Sequence, residues 1–270
     1  MAERIVLVTG CSSGIGLGVA QRLHSRGWHV IAGLRDASRT PPALECARRI
    51  ALDVTQPAQV AQAAAAIERL DCLINNAGYA LTGPFASYTA EQMERQLRVN
   101  LLGPALLTQQ LLPALKRAGG RVINVSSLAG EAGLPMMAMY CAAKHALEGW
   151  SESLRHELAA AGVQVALVEP GGFRTRFAEN MEWGARPMAP ESGEARQLGR
   201  YRAMQARMLA RPGRIPNPVI DAIVRLAEMK RMPLRTRVGS DARLLRGLKR
   251  WLPERVSIGL IGAAFRRRLA

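Results

Sequence analysis

Aromatic side chains make up only 4% of the 270 residues, and the four cysteines, Cys11, Cys46, Cys72 and Cys141, form no C-x-x-C pair and have no histidines at ligand spacing. Thiols scattered in this way argue against a zinc centre and a disulfide framework, so no metal is assigned and a reducing compartment, the cytoplasm, is expected. Long apolar runs are missing as well. Residues 101–107 and 257–265 fall far short of the roughly 20 residues that a membrane span needs. Glu3 and Arg4, followed by the short run 5–8, have the wrong shape for a secretion signal. The first 180 residues contain nothing like a Gly, Ser or Pro linker, which favours one domain. Acidic residues are scarce towards the C-terminus. From Arg186 onward 20 Lys or Arg face six Asp or Glu, a net +14, whereas the first 185 residues carry 17 against 15, a net +2.

What is present is apolar material, 49% of the chain, enough to bury a core and to exclude disorder, collagen and coiled coil. Residues 5–8, Ile-Val-Leu-Val, end at Thr9-Gly10 and read as a strand buried on both faces. Residues 14–26 place Ile15, Val19, Ala20 and Leu23 at helical spacing, with Gly27 where a cap belongs. Further strands are predicted at 29–33, 50–52, 72–74, 121–125 and 164–168. Helices are predicted at 57–68, from the capping box Thr89-x-x-Gln92 towards Asn100, and at 139–161, with a break or restart at Pro104 before Lys116. This alternation implies an α/β fold, a single doubly wound parallel sheet with helices on both faces. After residue 180 the texture changes. Residues 181–215 read as a mobile, partly helical insertion, 218–230 as an amphipathic helix, 237–239 as a short strand and 241–251 as a helix. The expected organisation is a domain over 1–240 and a basic amphipathic extension over 241–270.

Thr9-Gly10-Cys11-Ser12-Ser13-Gly14-Ile15-Gly16 lies between the first strand and the first helix. Glycines there let backbone approach a pyrophosphate, and the helix N-terminus offers free N–H groups, although a tight turn could use the same glycines. Tyr140-x-x-x-Lys144 puts a phenol and an ammonium on one helix face. A tyrosine with a pKa of roughly 10 is a poor base near neutrality, and a neighbouring cation is one way to lower it.

These two motifs occur in one order with Asp53, Asn75-Asn76-Ala77-Gly78, Asn100, Ser127 and Pro170-Gly171. Together they resemble the short-chain dehydrogenase/reductase family over about residues 4–180, and the stretch 140–177 is most similar to its steroid and retinol dehydrogenase branch. The resemblance implies a Rossmann-type domain and a catalytic set of Asn100, Ser127, Tyr140 and Lys144. In the family's terms Tyr140 exchanges a proton with the substrate oxygen, which Ser127 holds, with Ser126 as the structural hydroxyl. Lys144 lowers the phenol pKa and binds the nicotinamide ribose, and Asn100 holds a water that links Lys144 to solvent. The cofactor would lie against Gly10, Ser12, Ser13, Gly14, Ile15, Gly16, Asp53, Val54, Asn76, Ala77, Gly78, Tyr140, Lys144, Pro170, Gly171, Phe173 and Thr175.

Members using unphosphorylated NAD(H) usually carry an acid where Gly33 stands, and Arg35 offers a cation for a 2′-phosphate, with Ser12 of the glycine loop as a hydroxyl donor, so NADP(H) is expected over NAD(H). Asp36 could still supply the missing acid if the turn were shifted. The expected activity interconverts an alcohol and a ketone or aldehyde on a small apolar substrate such as a steroid or retinoid. Met136, Met137 and Met139 read equally as pocket wall or as core. A homodimer or homotetramer is expected. The alternative class is a nucleotide-sensing regulator that holds nucleic acid through the basic C-terminal region. No helix-turn-helix, RNA-recognition or zinc signature supports it. Leu244, Leu245, Leu248, Trp251 and Leu252 alternate with Arg243, Arg246, Lys249 and Arg250, a pattern open to peripheral membrane contact, to packing on the body or a partner subunit, or to simple solvation.

Overall fold

The computed structural model describes residues 3–39, 41–44, 47–210 and 215–269; Cys46 and the insertion's end at 211–214 lie outside the described residues. The chain runs β1 (Arg4–Thr9), α1 (Gly14–His24), β2 (Trp28–Leu34), β3 (Arg48–Ala51), α2 (Pro57–Ala65), β4 (Cys72–Asn75), β5 (Leu81–Thr82), α3 (Ala90–Leu97), α4 (Gly103–Ala118), β6 (Arg121–Val125) and α5 (Ala138–Leu158). It continues through β7 (Gln164–Pro170), β8 (Glu182–Trp183), α6 (Gly193–Ala210), α7 (Asn217–Glu228), β9 (Arg235–Val238), α8 (Ser240–Trp251) and α9 (Glu254–Leu269).

Among the described residues seven strands form one parallel sheet in the order β3-β2-β1-β4-β6-β7-β9. Side chains alternate across it. Val6 and Val8 of β1 face one core with α1 and α7, while Leu7 faces the other with α2, α4 and α5. Both faces are therefore covered, which is why the strands read as unbroken apolar runs. The strand order reverses between β1 and β4, and a crevice opens beyond their carboxyl ends, the place where such sheets bind ligands.

The expected restart at Pro104 is present, and one expectation, concerning the insertion, needs correction. A π-helical turn, Arg98–Leu102, carries α3 into α4, and Pro104 sits in the first turn of α4, where a missing N–H costs nothing. The insertion holds a strand that its sequence does not signal: β8 pairs with β5 in a second, two-stranded sheet. Two-residue strands are too short to show periodicity. The rest of the insertion is mainly α6, whose Leu198 and Tyr201 are buried. The apolar run 257–265 lies within α9.

Candidate active site

The loop between β1 and α1 is shaped by its glycines. Gly10 and Gly14 take left-handed backbone angles, φ +70° and +59°. A Cβ on Gly16 would stand 2.4 Å from both Asn76 Nδ2 and the Gly10 carbonyl oxygen, so α1 lies this close to β1 only because residue 16 has no side chain. Asn76 closes the arrangement, donating through Nδ2 to the carbonyls of Thr9 (2.9 Å) and Gly10 (3.2 Å). Thr9 Oγ1 accepts the N–H groups of Asn76 and Ala77, both at 3.0 Å. Ser13 gives α1 no side-chain cap and the first turn carries no acid, which suits the helix end to an anion.

This loop forms one wall of a cavity of about 1230 Å³. Of the residues singled out in the sequence, Gly10, Ser12, Ser13, Gly14, Ile15, Arg35, Asp53, Val54, Asn76, Ala77, Gly78, Ser127, Tyr140, Lys144, Pro170, Gly171, Phe173 and Thr175 line it. Gly16 and Asn100 do not. Gly16 stands behind the loop as a close-packing residue. Asn100 sits in the π turn, 1% exposed, and its carboxamide is committed to the Tyr79 backbone, accepting from N–H at 3.2 Å and donating to the carbonyl at 2.8 Å. Those bonds fix the wall at Tyr79.

At the end of β2 the chain offers Arg35 and Asp36 to the cavity. The Asp36 carboxylate accepts from Ser38 N–H (3.0 Å) and Ser38 Oγ (2.5 Å), which ties it into its own turn. Gly33 is buried in the strand, where a Cβ would lie 3.1 Å from Leu52 Cδ2. Asp53 Oδ1 accepts from Thr55 N–H (2.9 Å) and Oγ1 (2.7 Å), the turn that launches α2.

Across the cavity, α5 brings Tyr140 and Lys144 one turn apart beside Ser127 at the end of β6. Burial pushes the Tyr140 phenol up to about 12, a hydrogen bond from Ser127 pulling the other way. Lys144 Nζ donates to the Val125 carbonyl at 2.8 Å and lies 5.8 Å from the centre of the Tyr140 ring. Burial thus outweighs the other influences on the phenol, because loss of water costs the phenolate more than its hydrogen bond from Ser127 returns. Burial pushes Lys144 itself down to about 8, with the carboxylate of Glu148 acting in the opposite sense. Of the three methionines before Tyr140, Met136 and Met137 are buried. Met137 packs with Tyr140 and Cys141 beneath the site, and Met136, at φ +67°, offers its carbonyl to Gly83 N–H (2.8 Å). Phe177 and Met181 line the cavity, the Phe177 ring 5.7 Å from that of Tyr140. Burial also pushes the Cys11 thiol up to about 12, leaving it inert.

Two groups of residues carried no signal in the sequence. Tyr79, Arg95, Arg98 and Glu182 complete the cavity rim, with Arg95 3.0 Å from Glu182. Beneath the site lies an ionic cluster: Arg235 Nε meets Glu148 at 2.8 Å, and Arg237 Nε meets Glu169 at 3.0 Å. Glu148 stands one helical turn beyond Lys144, a spacing that a search for charges around the Tyr-Lys pair would find.

The comparisons agree with this geometry. The family profile described as short chain dehydrogenase matches residues 4–184. Estradiol 17-beta-dehydrogenase 1 of Rattus norvegicus is 42% identical over 200 residues, covering 68% of this chain and 58% of that protein. Retinol dehydrogenase 5 of Homo sapiens is 37% identical over 281 residues, covering 93% and 84%. A short chain dehydrogenase from Burkholderia cenocepacia J2315, solved in complex with NADP, superposes with a TM-score of 0.76 at 27% identity over 95% of each chain. A profile match over two thirds of the sequence, on the sheet and crevice described above, makes this chain a member of the short-chain dehydrogenase family and an oxidoreductase, allied to the steroid and retinol dehydrogenases within it.

Proposed function

We propose that the protein interconverts an alcohol and a ketone or aldehyde on an apolar substrate, a steroid, a retinoid or a molecule of similar character, with NADP(H). The observation that carries this reading is the meeting of Ser127, Tyr140 and Lys144 on one wall of a cavity whose other wall is the glycine loop. The loop fits a dinucleotide, because the close approach of α1 to β1 leaves room only for backbone, and the uncapped first turn is free of acids. Ser12, Ser13, Gly14 and Ile15 would hold the pyrophosphate, Asp53 and Val54 the adenine, and Asn76, Ala77, Gly78, Pro170, Gly171, Phe173 and Thr175 the remainder. Arg35 would meet the 2′-phosphate, a reading favoured by the NADP complex of the Burkholderia relative and by the engagement of Asp36 with Ser38. When bound, NADP(H) supplies or accepts the hydride.

The chain's own groups handle the proton. Tyr140 keeps its proton near neutrality because burial holds its pKa high, so it serves as the acid that delivers a proton to the substrate oxygen during carbonyl reduction. Ser127 holds that oxygen by a hydrogen bond. Lys144, charged below about pH 8, stabilises the phenolate left behind and anchors the ribose. Asn100 acts as a positioning residue through Tyr79. Phe177 and Met181 give the cavity an apolar side suited to the substrate. Leu102 and Leu106, exposed on the outer side of the helix at the π turn, suit the contact of a homodimer or homotetramer.

Mixing the protein with NADPH or NADP and a panel of steroid, retinoid and short-chain ketones and alcohols, and following absorbance of the reduced nicotinamide, tests the assignment. Turnover of an apolar carbonyl compound is expected. Inactivity across the panel with both cofactors would overturn it.

A further inference from the structure

Helices α8 and α9 hold five large apolar side chains in water: Leu244 (65% exposed), Trp251 (78%), Val256 (46%), Ile258 (57%) and Leu260 (46%). On α8, Leu244 and Trp251 stand two turns apart on one side, and Arg243, Lys249 and Arg250 are exposed around them. The inner side of the helix is pinned to the body. Ala242 is buried, Asp241 Oδ2 accepts from the Gly172 N–H at 2.6 Å, and Arg246 reaches Glu131 at 3.7 Å. On α9, Arg255, Arg266 and Arg267 are exposed. Phe265 of α9 packs on Tyr201 (5.8 Å between ring centres), which in turn meets Trp183 (6.1 Å) beside the cavity rim.

Residues 240–269 contain eight Lys or Arg and two Asp or Glu, and one of those acids, Asp241, is turned inward. A helix that only needed to pack on the body would bury its Trp and Leu and expose its charge. Here Trp, Leu and cations are exposed together. A second copy of the chain fits that surface poorly, since a two-fold contact would set cations against cations. A bilayer with anionic lipid fits both elements, because apolar tips enter the boundary of headgroups and acyl chains while cations stay with the phosphates. No described helix is long and apolar enough to cross a membrane, so the contact would lie in the interface.

We propose that α8 and α9 dock the protein onto an anionic lipid surface, Leu244, Trp251, Val256 and Leu260 entering the interface and Arg243, Lys249, Arg250, Arg255, Arg266 and Arg267 meeting the headgroup phosphates. The docking does not depend on which substrate the cavity takes.

The test is sedimentation of the full chain with vesicles of phosphatidylcholine alone and with phosphatidylglycerol added, at low and high salt. It is repeated for the double variants Leu244→Glu with Trp251→Glu and Lys249→Glu with Arg250→Glu, with folding checked by thermal melting. The wild type is expected to partition at least about tenfold better onto the anionic vesicles, less so as salt rises, each cation near the surface contributing roughly fivefold. Both variants are expected to lose about tenfold or more of that binding while keeping wild-type turnover of a water-soluble carbonyl substrate. Equal partition onto both kinds of vesicle, or full retention of binding by either variant, would overturn the proposal. So would a wild-type dimer that Leu244→Glu with Trp251→Glu dissociates in the absence of vesicle binding. Failure of the oxidoreductase reading would appear as absent wild-type turnover and would leave the vesicle result unchanged.

Discussion

At the β1 end of the cavity, what a ligand would meet is mostly backbone: the turn from Gly10 to Ile15, the uncapped start of α1, and Ala77 and Gly78 beyond β4. At the β6 end it would meet side chains whose proton affinities are displaced by burial, Tyr140 upward to about 12 and Lys144 downward to about 8. At the first end Gly10 and Gly16 leave no room for a Cβ, and the second end tolerates almost no change of functional group. A cofactor common to many reactions is held by shape, and a reaction is run by chemistry, so the two ends should fail in different ways when altered.

The largest effect is expected at the chemical end. Tyr140→Phe removes only the transferable proton and should lower kcat by about two orders of magnitude or more, read in steady-state turnover. At the backbone end, Gly16→Ala forces a Cβ to within 2.4 Å of Asn76 and Gly10. Overpacking of this kind costs about 1–3 kcal/mol and should lower Tm by several degrees while weakening cofactor binding about tenfold or more, measured by calorimetry and titration. Arg35→Ala should weaken NADPH binding about tenfold and leave NADH nearly unchanged, the size expected for loss of one charge-assisted contact. The smallest effect belongs to Glu148→Gln. The Glu148 carboxylate raises the Lys144 pKa, so removing it should bring that value further below about 8. Because Lys144 loses its charge as pH rises through its pKa, the alkaline limb of the rate of carbonyl reduction should move to lower pH, with little change on the acid side.

The same division explains what the sequence discloses. Gly10, Gly14, Tyr140 and Lys144 are local motifs on elements whose apolar runs are unambiguous, so the parallel sheet and most of the cavity lining are legible from residue order alone. The π turn is not, since one extra residue in a helix leaves the apolar pattern of α3 and α4 nearly intact and only Pro104 hints at it. Nor is the β5–β8 pair, held by two-residue strands, or the wall formed by Phe177 and Met181, which come from a loop without periodicity. The burial of Tyr140 is not legible either. A motif records which cation stands near the phenol but not how thoroughly water is excluded, and exclusion of water is the larger influence there. Arg235 and Arg237 lie far from Glu148 and Glu169 in the chain, so only folding brings the ionic cluster together.

The most direct measurement is a fluorescence titration of NADPH into Tyr140→Phe alongside its turnover on a substrate active with the wild type. A backbone end that binds and a side-chain end that reacts predict a Kd within about threefold of wild type together with a kcat reduced about a hundredfold or more. A variant that keeps a third or more of the wild-type kcat, or that loses NADPH binding in step with turnover, would contradict it.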